Sequence, residues 1–329
     1  MNPPGAHRPC EDVWGPFERC ARDLDRNVLV LADARVLALH PHVRRALPKQ
    51  KIVALKAGER TKSTARLTAL SNDAPRACSG VLVIGGGTLG DLGTVLAHLI
   101  RRGVPLIHVP TTLLAAVDSS VGGKGAVHAR SGGGWVKNAW GVFHYPEAGW
   151  LCPELWQTLS PAQRRQGEIE ALKMDVTLDA RGLARWSDGV PEDLVKRARA
   201  LKARVCAGDP YDALGPRRVL NFGHTFGHAF EAVTNFRLAH GDAVGLGMRR
   251  ALELGAELGV TPRALAEKLE VTLDRVGAPG RARLEQLLRR RREVHQAIAG
   301  DKKGASERGA NMVLLEREGR ATVRWVEWR

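Results

Sequence analysis

The sequence predicts an α/β N-terminal domain built on a mostly parallel sheet, followed by a mainly α-helical C-terminal domain. Three observations predict it. At 329 residues the chain exceeds the size at which one hydrophobic core keeps growing, so two packed domains sharing a cleft are expected. In the first half, short apolar runs alternate with helical stretches, the pattern of strand–helix–strand units. After about Trp150 the runs give way to helical stretches broken at Gly and Pro.

Val28–Leu31, Lys51–Ala54, Val81–Ile84 and Pro105–Val109 read as the strands. Ser160 and Pro161 are suited to the N-cap and first position of a helix. The boundary is therefore set at 155, giving domains 1–155 and 156–329. Asn311–Leu315 and Ala321–Trp325 alternate like a small hairpin around Glu318 and Gly319. There is no internal repeat, and Ser131–Gly134 reads as a flexible loop.

Hydrophobic residues make up 44% of the chain, and no apolar run approaches the ~20 residues that cross a bilayer. Met1–Cys20 is polar and lacks the apolar core of a signal peptide, so a cytoplasmic protein is expected. Five scattered cysteines without a CxxC pair suggest neither a disulfide framework nor a thiolate metal site. The formal charge of +15 raises nucleic acid as a partner. The excess is arginine spread along the chain, and its densest run, Arg289–Arg292, follows Leu284, Leu287 and Leu288 in a helical pattern. That favours a solvated helix face, and the same field would suit anionic substrates.

Three motifs carry chemistry. Gly85, Gly86, Gly87, Gly90 and Asp91 follow a strand and open a helix, where missing side chains let backbone N–H groups approach a pyrophosphate. A plain tight turn would look the same. Asp33, Glu59 and Lys62 are ribose-binding candidates or surface polar groups. Second, His224 and His228 are spaced to share a helix face, and His240 follows for a return to the same spot; neutral imidazoles of this kind hold zinc-like ions. Third, Glu170 and Lys173 share a face at i, i+3. Spacing alone favours a surface ion pair. As a site, the carboxylate would complete a two-His, one-Glu set and the ammonium would contact an anionic or carbonyl oxygen. Asp118 to Lys124, and Lys137 with Asn138, set charges beside glycines, suiting either backbone approach to a polar ligand or a mobile basic loop.

Taken in order, Gly85–Asp91, Pro110–Thr112, Asp118–Lys124, Lys137 and Asn138, Glu170–Lys173, Arg217, Asn221, His224, His228, His240 and Asp301–Lys303 resemble the 3-dehydroquinate synthase family of sugar phosphate cyclases. The resemblance runs from about Asp33 to Lys303 with closely matching spacing. It implies an NAD-binding α/β domain and a helical metal domain with the active site between them, in a homodimer. Glu170, His224 and His240 would hold zinc or cobalt. Asp33, Glu59, Lys62, Gly86, Gly87, Asp91, Thr111, Thr112 and Thr158 would hold NAD, with Asp118 and Lys137 beside it. Lys124, Asn138 and His228 would meet the substrate phosphate, with Arg102 reaching across the dimer. Lys202, Arg217 and Lys303, rather than Lys302, would bind the substrate carboxylate, with Lys173 and Asn221 completing the catalytic set.

The implied activity is a lyase reaction of the shikimate pathway: 3-deoxy-D-arabino-heptulosonate 7-phosphate becomes 3-dehydroquinate and phosphate by NAD-mediated oxidation, β-elimination, reduction and aldol closure. A secondary-metabolic cyclase and a metal-dependent polyol dehydrogenase are the alternatives. The sequence departs from the family pattern at residues 125–136, which form a longer, rewritten stretch, and at Met174 and Asp175. The segment between Lys202 and Arg217 is also longer, and the N-terminus is short.

Overall fold

The computed structural model describes residues 10–131, 134–301, 305–306 and 308–328. The chain divides into two compact units, Met1–Ser160 and Pro161–Arg329. Among the described residues no helix is long and apolar enough to cross a membrane.

The first unit is laid down as β1 (Glu11–Trp14), α1 (Phe17–Ala21), β2 (Val28–Asp33), α2 (Ala34–Leu39), α3 (Pro41–Arg45), β3 (Lys51–Leu55), α4 (Thr64–Asp73), β4 (Gly80–Gly85), α5 (Gly87–Leu99), β5 (Leu106–Pro110), β6 (Lys124–Ser131), β7 (Gly134–Phe143) and β8 (Ala148–Leu151). Six strands form one parallel sheet in the order β1-β8-β5-β4-β2-β3. The apolar runs are continuous because both faces are covered. Leu29, Leu31, Val81 and Val83 join one core, while Val28, Val30, Leu82 and Ile84 join the other. Chain order reverses between β2 and β4, so Asp33 and Gly85 flank the switch point where such sheets receive ligands. β6 and β7 pair with each other as a separate antiparallel hairpin. The expected loop at Ser131–Gly134 includes two positions, 132 and 133, that lie outside the described residues.

The second unit comprises α6 (Pro161–Leu178), α7 (Leu194–Gly208), α8 (His224–Val233), α9 (His240–Glu257), α10 (Arg263–Arg275), α11 (Arg281–Leu288), α12 (Arg291–Asp301), β9 (Ala305–Ser306), β10 (Gly309–Arg317) and β11 (Arg320–Glu327). The expected terminal hairpin is β10 and β11, which pair antiparallel. The substitution pattern at Met174 and Asp175 is structural: Asp175 accepts Trp186 Nε1–H at 2.9 Å and Arg197 Nε–H at 2.7 Å. Both residues are buried.

The close packing of α8 on α9 depends on glycine. Gly223 has φ 78°, and a Cβ on it would lie 2.8 Å from Val244 O. A Cβ on Gly247 would lie 1.9 Å from Gly223 O and 2.8 Å from Gly227 N, both rigid backbone atoms. Gly247→Ala must therefore push the helices apart, and we expect a loss of about 1–3 kcal/mol in urea-denaturation stability. A wild-type midpoint in this variant would contradict the seam.

Candidate active site

Glu170 lies within α6, where Ile169, Ala171, Leu172, Met174 and Val176 are also buried. This helix has no exposed face over residues 169–177, so the carboxylate is taken fully out of water, at 0% exposure. The surface ion pair expected from spacing is thus corrected: Lys173 is only 1% exposed and its Nζ lies 2.5 Å from Glu170 Oε2. The other oxygen, Oε1, faces His224 Nε2 at 3.5 Å and His240 Nε2 at 3.3 Å. Among the described residues neither carboxylate oxygen has an aligned hydrogen bond.

Sequence places the two imidazoles at helix starts. His224 follows Gly223, whose left-handed conformation lets the chain turn into α8. His240 is the first residue of α9. One turn before Glu170, Gln166 Oε1 accepts the Gly241 and Asp242 N–H groups at 2.6 and 3.2 Å. Arg165 grips Asp242 through Nε and Nη2 at 2.8 and 3.0 Å. Gly241 has no room for a side chain against Gln166, because a Cβ there would sit 2.6 Å from Gln166 Cα. These contacts fix the start of α9, and hence His240, on α6.

Electrostatics follow from burial. Burial opposes the Glu170 charge, yet Lys173, His224 and His240 together hold its carboxyl well below the usual range. His224 is held neutral by burial and by the Lys173 ammonium. Burial opposes the His240 charge, but the facing carboxylates of Glu170 and Glu231 outweigh it and raise the imidazole to about 10. Glu231 was not anticipated. Its Oε1 lies 3.4 Å from His240 Nδ1, the carboxylate–imidazole contact that orients metal-binding histidines.

The donor set fits a divalent cation. One carboxylate oxygen and two imidazole nitrogens lie within 4.8 Å of one another. Bonds of about 2.1 Å to a tetrahedral ion require donors about 3.4 Å apart, close to the two Glu170–histidine distances. Glu170 Oε1, buried between the two imidazoles with no hydrogen-bond partner among the described residues, is what a cation would satisfy. His228 joins Glu231 and His240 in a second, overlapping set, with its ring centroid 5.4 Å from that of His224. A third set, Glu18, His42 and Glu154, has a simpler role, since Glu154 Oε1 already accepts the Phe17 N–H at the start of α1.

Other expected residues of this unit fall around the same helices. Lys202 is buried in α7. Arg217 is buried and donates through Nη1 to the Pro210 carbonyl at 3.1 Å. Asn221 is exposed at the end of a short 3-10 turn. Lys303 and Lys302 lie outside the described residues.

In the first unit the glycine turn is a built cradle. Gly86 precedes α5 without any side-chain cap, leaving the first-turn N–H groups available to an anion. A Cβ on Gly86 would lie 3.2 Å from Thr112 Cγ2, and one on Gly87 3.0 Å from Ser119 Oγ. Side chains here would crowd Thr112 and Ser119 and displace the turn that opens α5, whereas glycines keep its uncapped N–H groups accessible, so the residues present fit a dinucleotide. Thr112 Oγ1 accepts the Ala115 N–H at 3.1 Å, and the Thr111 N–H donates to Gly85 O at 3.0 Å. Asp33 caps α2 through the Arg35 N–H at 2.9 Å, and Thr158 Oγ1 lies 3.0 Å from His40 Nε2. Asp118 sits in a π-type turn over Ala115–Ser119.

Two of the ribose candidates are engaged by protein. Lys62 is buried and its Nζ pairs with Asp91 Oδ2; burial raises the Asp91 carboxyl, with Lys62 acting the other way. Glu59 Oε2 lies 2.8 Å from His128 Nε2. Lys124, Lys137 and Asn138 are exposed on β6 and β7, so the alternative of a basic loop gives way to a paired hairpin. Arg102 is exposed with φ 69°.

Two family models match this chain: 3-dehydroquinate synthase N-terminal over residues 52–166 and 3-dehydroquinate synthase C-terminal over residues 168–304. A curated 3-dehydroquinate synthase from Paracoccus denitrificans is 37% identical over 278 residues, covering 78% of this chain and 74% of that protein. The chain belongs to the 3-dehydroquinate synthase family. Another member, from Bartonella tribocorum, is 36% identical over 271 residues, covering 76% of this chain and 71% of its own. Among solved structures, a 2-deoxy-scyllo-inosose synthase complexed with carbaglucose-6-phosphate, NAD+ and Co2+ shares the fold at TM-score 0.82 and 22% identity, over 99% of this chain and 96% of that one. The 2-epi-5-epi-valiolone synthase from Streptomyces hygroscopicus subsp. jinggangensis 5008, with NAD+ and Zn2+ bound, shares it at TM-score 0.73 and 22% identity, over 98% and 94%.

The Glu170–Lys173 pair can be tested without any ligand. Lys173→Met should cost about 3 kcal/mol in urea denaturation with EDTA present, because it leaves a buried carboxylate short of its counter-charge. Adding Glu170→Gln to that variant should restore most of the loss. An additive double mutant would mean the two groups do not act as a pair.

Proposed function

We propose that this chain is a 3-dehydroquinate synthase, converting 3-deoxy-D-arabino-heptulosonate 7-phosphate to 3-dehydroquinate and inorganic phosphate. The observation that carries the reading, in a chain of this family, is the wholly buried Glu170 carboxylate, whose Oε1 faces two imidazoles with no hydrogen-bond partner among the described residues. Glu170, His224 and His240 would hold a divalent ion, zinc or cobalt, and the Gly86–Gly87 cradle would hold the pyrophosphate of NAD. When bound, the ion supplies a Lewis acid for a substrate hydroxyl and NAD a reversible hydride acceptor.

The chain's own residues supply position and charge. Lys173 keeps Glu170 ionised, and Glu231 with Gln166 keeps the His240 ring aimed at it. The uncapped start of α5 would present N–H groups to the cofactor, and Asp33, Glu59, Lys62, Asp91, Thr111, Thr112, Asp118, Lys137 and Thr158 would complete its binding. Lys124, Asn138 and His228 would bind the substrate phosphate, with Arg102 serving the other subunit of a homodimer. His228 would also hand protons to and from that phosphate. Lys202, Arg217 and Lys303 would pair the substrate carboxylate, which a carboxylate-free sugar would leave unmatched. The reaction would run in the cytoplasm on the shikimate route.

Phosphate release from 3-deoxy-D-arabino-heptulosonate 7-phosphate should require NAD, vanish with EDTA and return with zinc or cobalt. Preferred turnover of sedoheptulose 7-phosphate or glucose 6-phosphate would instead indicate a secondary-metabolic cyclase, and net NADH accumulation with glycerol a polyol dehydrogenase. Glu170→Gln should bind zinc at least about 100-fold more weakly in a chelator-competition assay. Unchanged zinc affinity in that variant would remove Glu170 from the site.

A further inference from the structure

The rewritten stretch after Lys124 contains a residue with an unusual set of contacts. β6 and β7 pair in register at Val127↔Trp140 and again at Ala129↔Val136. Between those pairs His128 alone on β6 opposes Lys137, Asn138 and Ala139 on β7, so β7 bulges there. Asn138 takes the left-handed conformation, φ 49°, which asparagine tolerates better than most residues. Its N–H no longer has a ladder partner. It donates instead to His128 Nδ1 at 2.9 Å.

That bond settles the tautomer. A ring nitrogen that accepts carries no proton, so in the neutral imidazole the proton sits on Nε2. Nε2 lies 2.8 Å from Glu59 Oε2 and donates to it. The ring is 4% exposed, and the His128 N–H donates to Lys62 O at 2.9 Å. Lys62 in turn pairs with Asp91. One imidazole therefore joins the start of the short turn at Glu59–Thr61 to the bulge that presents Asn138.

We propose that His128 is a positioning residue that sets Glu59 through Nε2 and Asn138 through Nδ1. This rests on the proposed function, in which Glu59 serves NAD and Asn138 the substrate phosphate. A histidine at this place does two jobs with opposite edges of one ring. A bulge placed beside a site re-aims a side chain, and here the acceptor that holds the bulge is the same group that orients the cofactor-side carboxylate.

The two jobs separate by amide substitution, because Asn Oδ1 stands in for Nδ1 and Gln Nε2 for ring Nε2. His128→Asn keeps the acceptor for Asn138 and loses the donor to Glu59. His128→Gln keeps the donor and loses the acceptor. In the full-length metal-loaded protein, His128→Asn should weaken NAD binding about tenfold by calorimetry while leaving KM for the sugar phosphate within about twofold. His128→Gln should do the reverse, raising KM for the sugar phosphate about tenfold with NAD affinity near wild type. Near-UV circular dichroism on both variants checks the fold. Parallel loss of both affinities, a reversed split, no change in either, or unfolding of both variants would each reduce His128 to a staple of the hairpin and overturn the inference. A wild-type protein that binds no NAD and releases no phosphate would overturn the proposed function and this inference with it.

Discussion

A carboxylate removed from water has to be answered by positive charge, and in the second unit much of the architecture follows from that demand at Glu170. An ion of this size buried in a low-dielectric interior costs several kcal/mol even after relaxation. The fold answers it three ways at once, with Lys173 from the same helix, His224 from the start of α8 and His240 from the start of α9. The imidazoles reach Oε1 because glycines at 223, 227 and 247 let α8 and α9 meet backbone to backbone. Glu170 and Glu231 raise His240 to about 10, so the carboxylates favour positive charge at this place, and the same arrangement favours a divalent ion.

In the first unit the governing device is absence of side chains rather than burial of charge. Gly86 and Gly87 let the backbone lie close against Thr112 and Ser119, and the start of α5 carries no cap of its own. Helix starts without caps leave N–H groups pointing at whatever anion arrives. The order reversal between β2 and β4 puts that start beside Asp33. Gly93 makes the approach tight on the other side, where a Cβ would lie 2.2 Å from Val83 Cγ2.

Much of this was legible in the sequence because it was local. The four apolar runs became β2 to β5, the alternating terminal segments became β10 and β11, and the four-residue spacing of His224 and His228 did put them on one helix. Glu170 and Lys173 were legible as neighbours but not as a buried pair. Their spacing is that of countless surface pairs, and only packing of α6 on both sides turns it into a site. His128, Glu231 and Gln166 were missed for a related reason. Gln166 and His128 act through partners far off in sequence, Glu231 meets His240 only once α8 and α9 have packed, and no short motif records a bulge that exists only once two strands have paired. Asp175 was read as a departure beside the metal ligand, whereas its carboxylate turns to Trp186 and Arg197.

The charge surplus is resolved the same way, by where the arginines go. Arg249 is 1% exposed and is forked between Glu270 and Asp274 while its Nε–H donates to Pro279 O at 3.0 Å. Arg165 holds Asp242, Arg197 holds Asp175, and Arg199 is buried. Planar guanidinium groups with five donors are suited to such interior clamps in a way lysine is not. Each clamp uses at least one carboxylate per arginine, and Arg249 and Arg197 use two, so the clamps add nothing to the positive excess, which is carried by the basic residues outside them. The run Arg289–Arg292 is exposed at the junction of α11 and α12, where Arg290 is tied back to Glu293 and to the Val233 carbonyl. The arginines that join helices are thus balanced locally, and the formal charge of +15 is a field of the remaining basic residues, of the sign that favours anionic substrates.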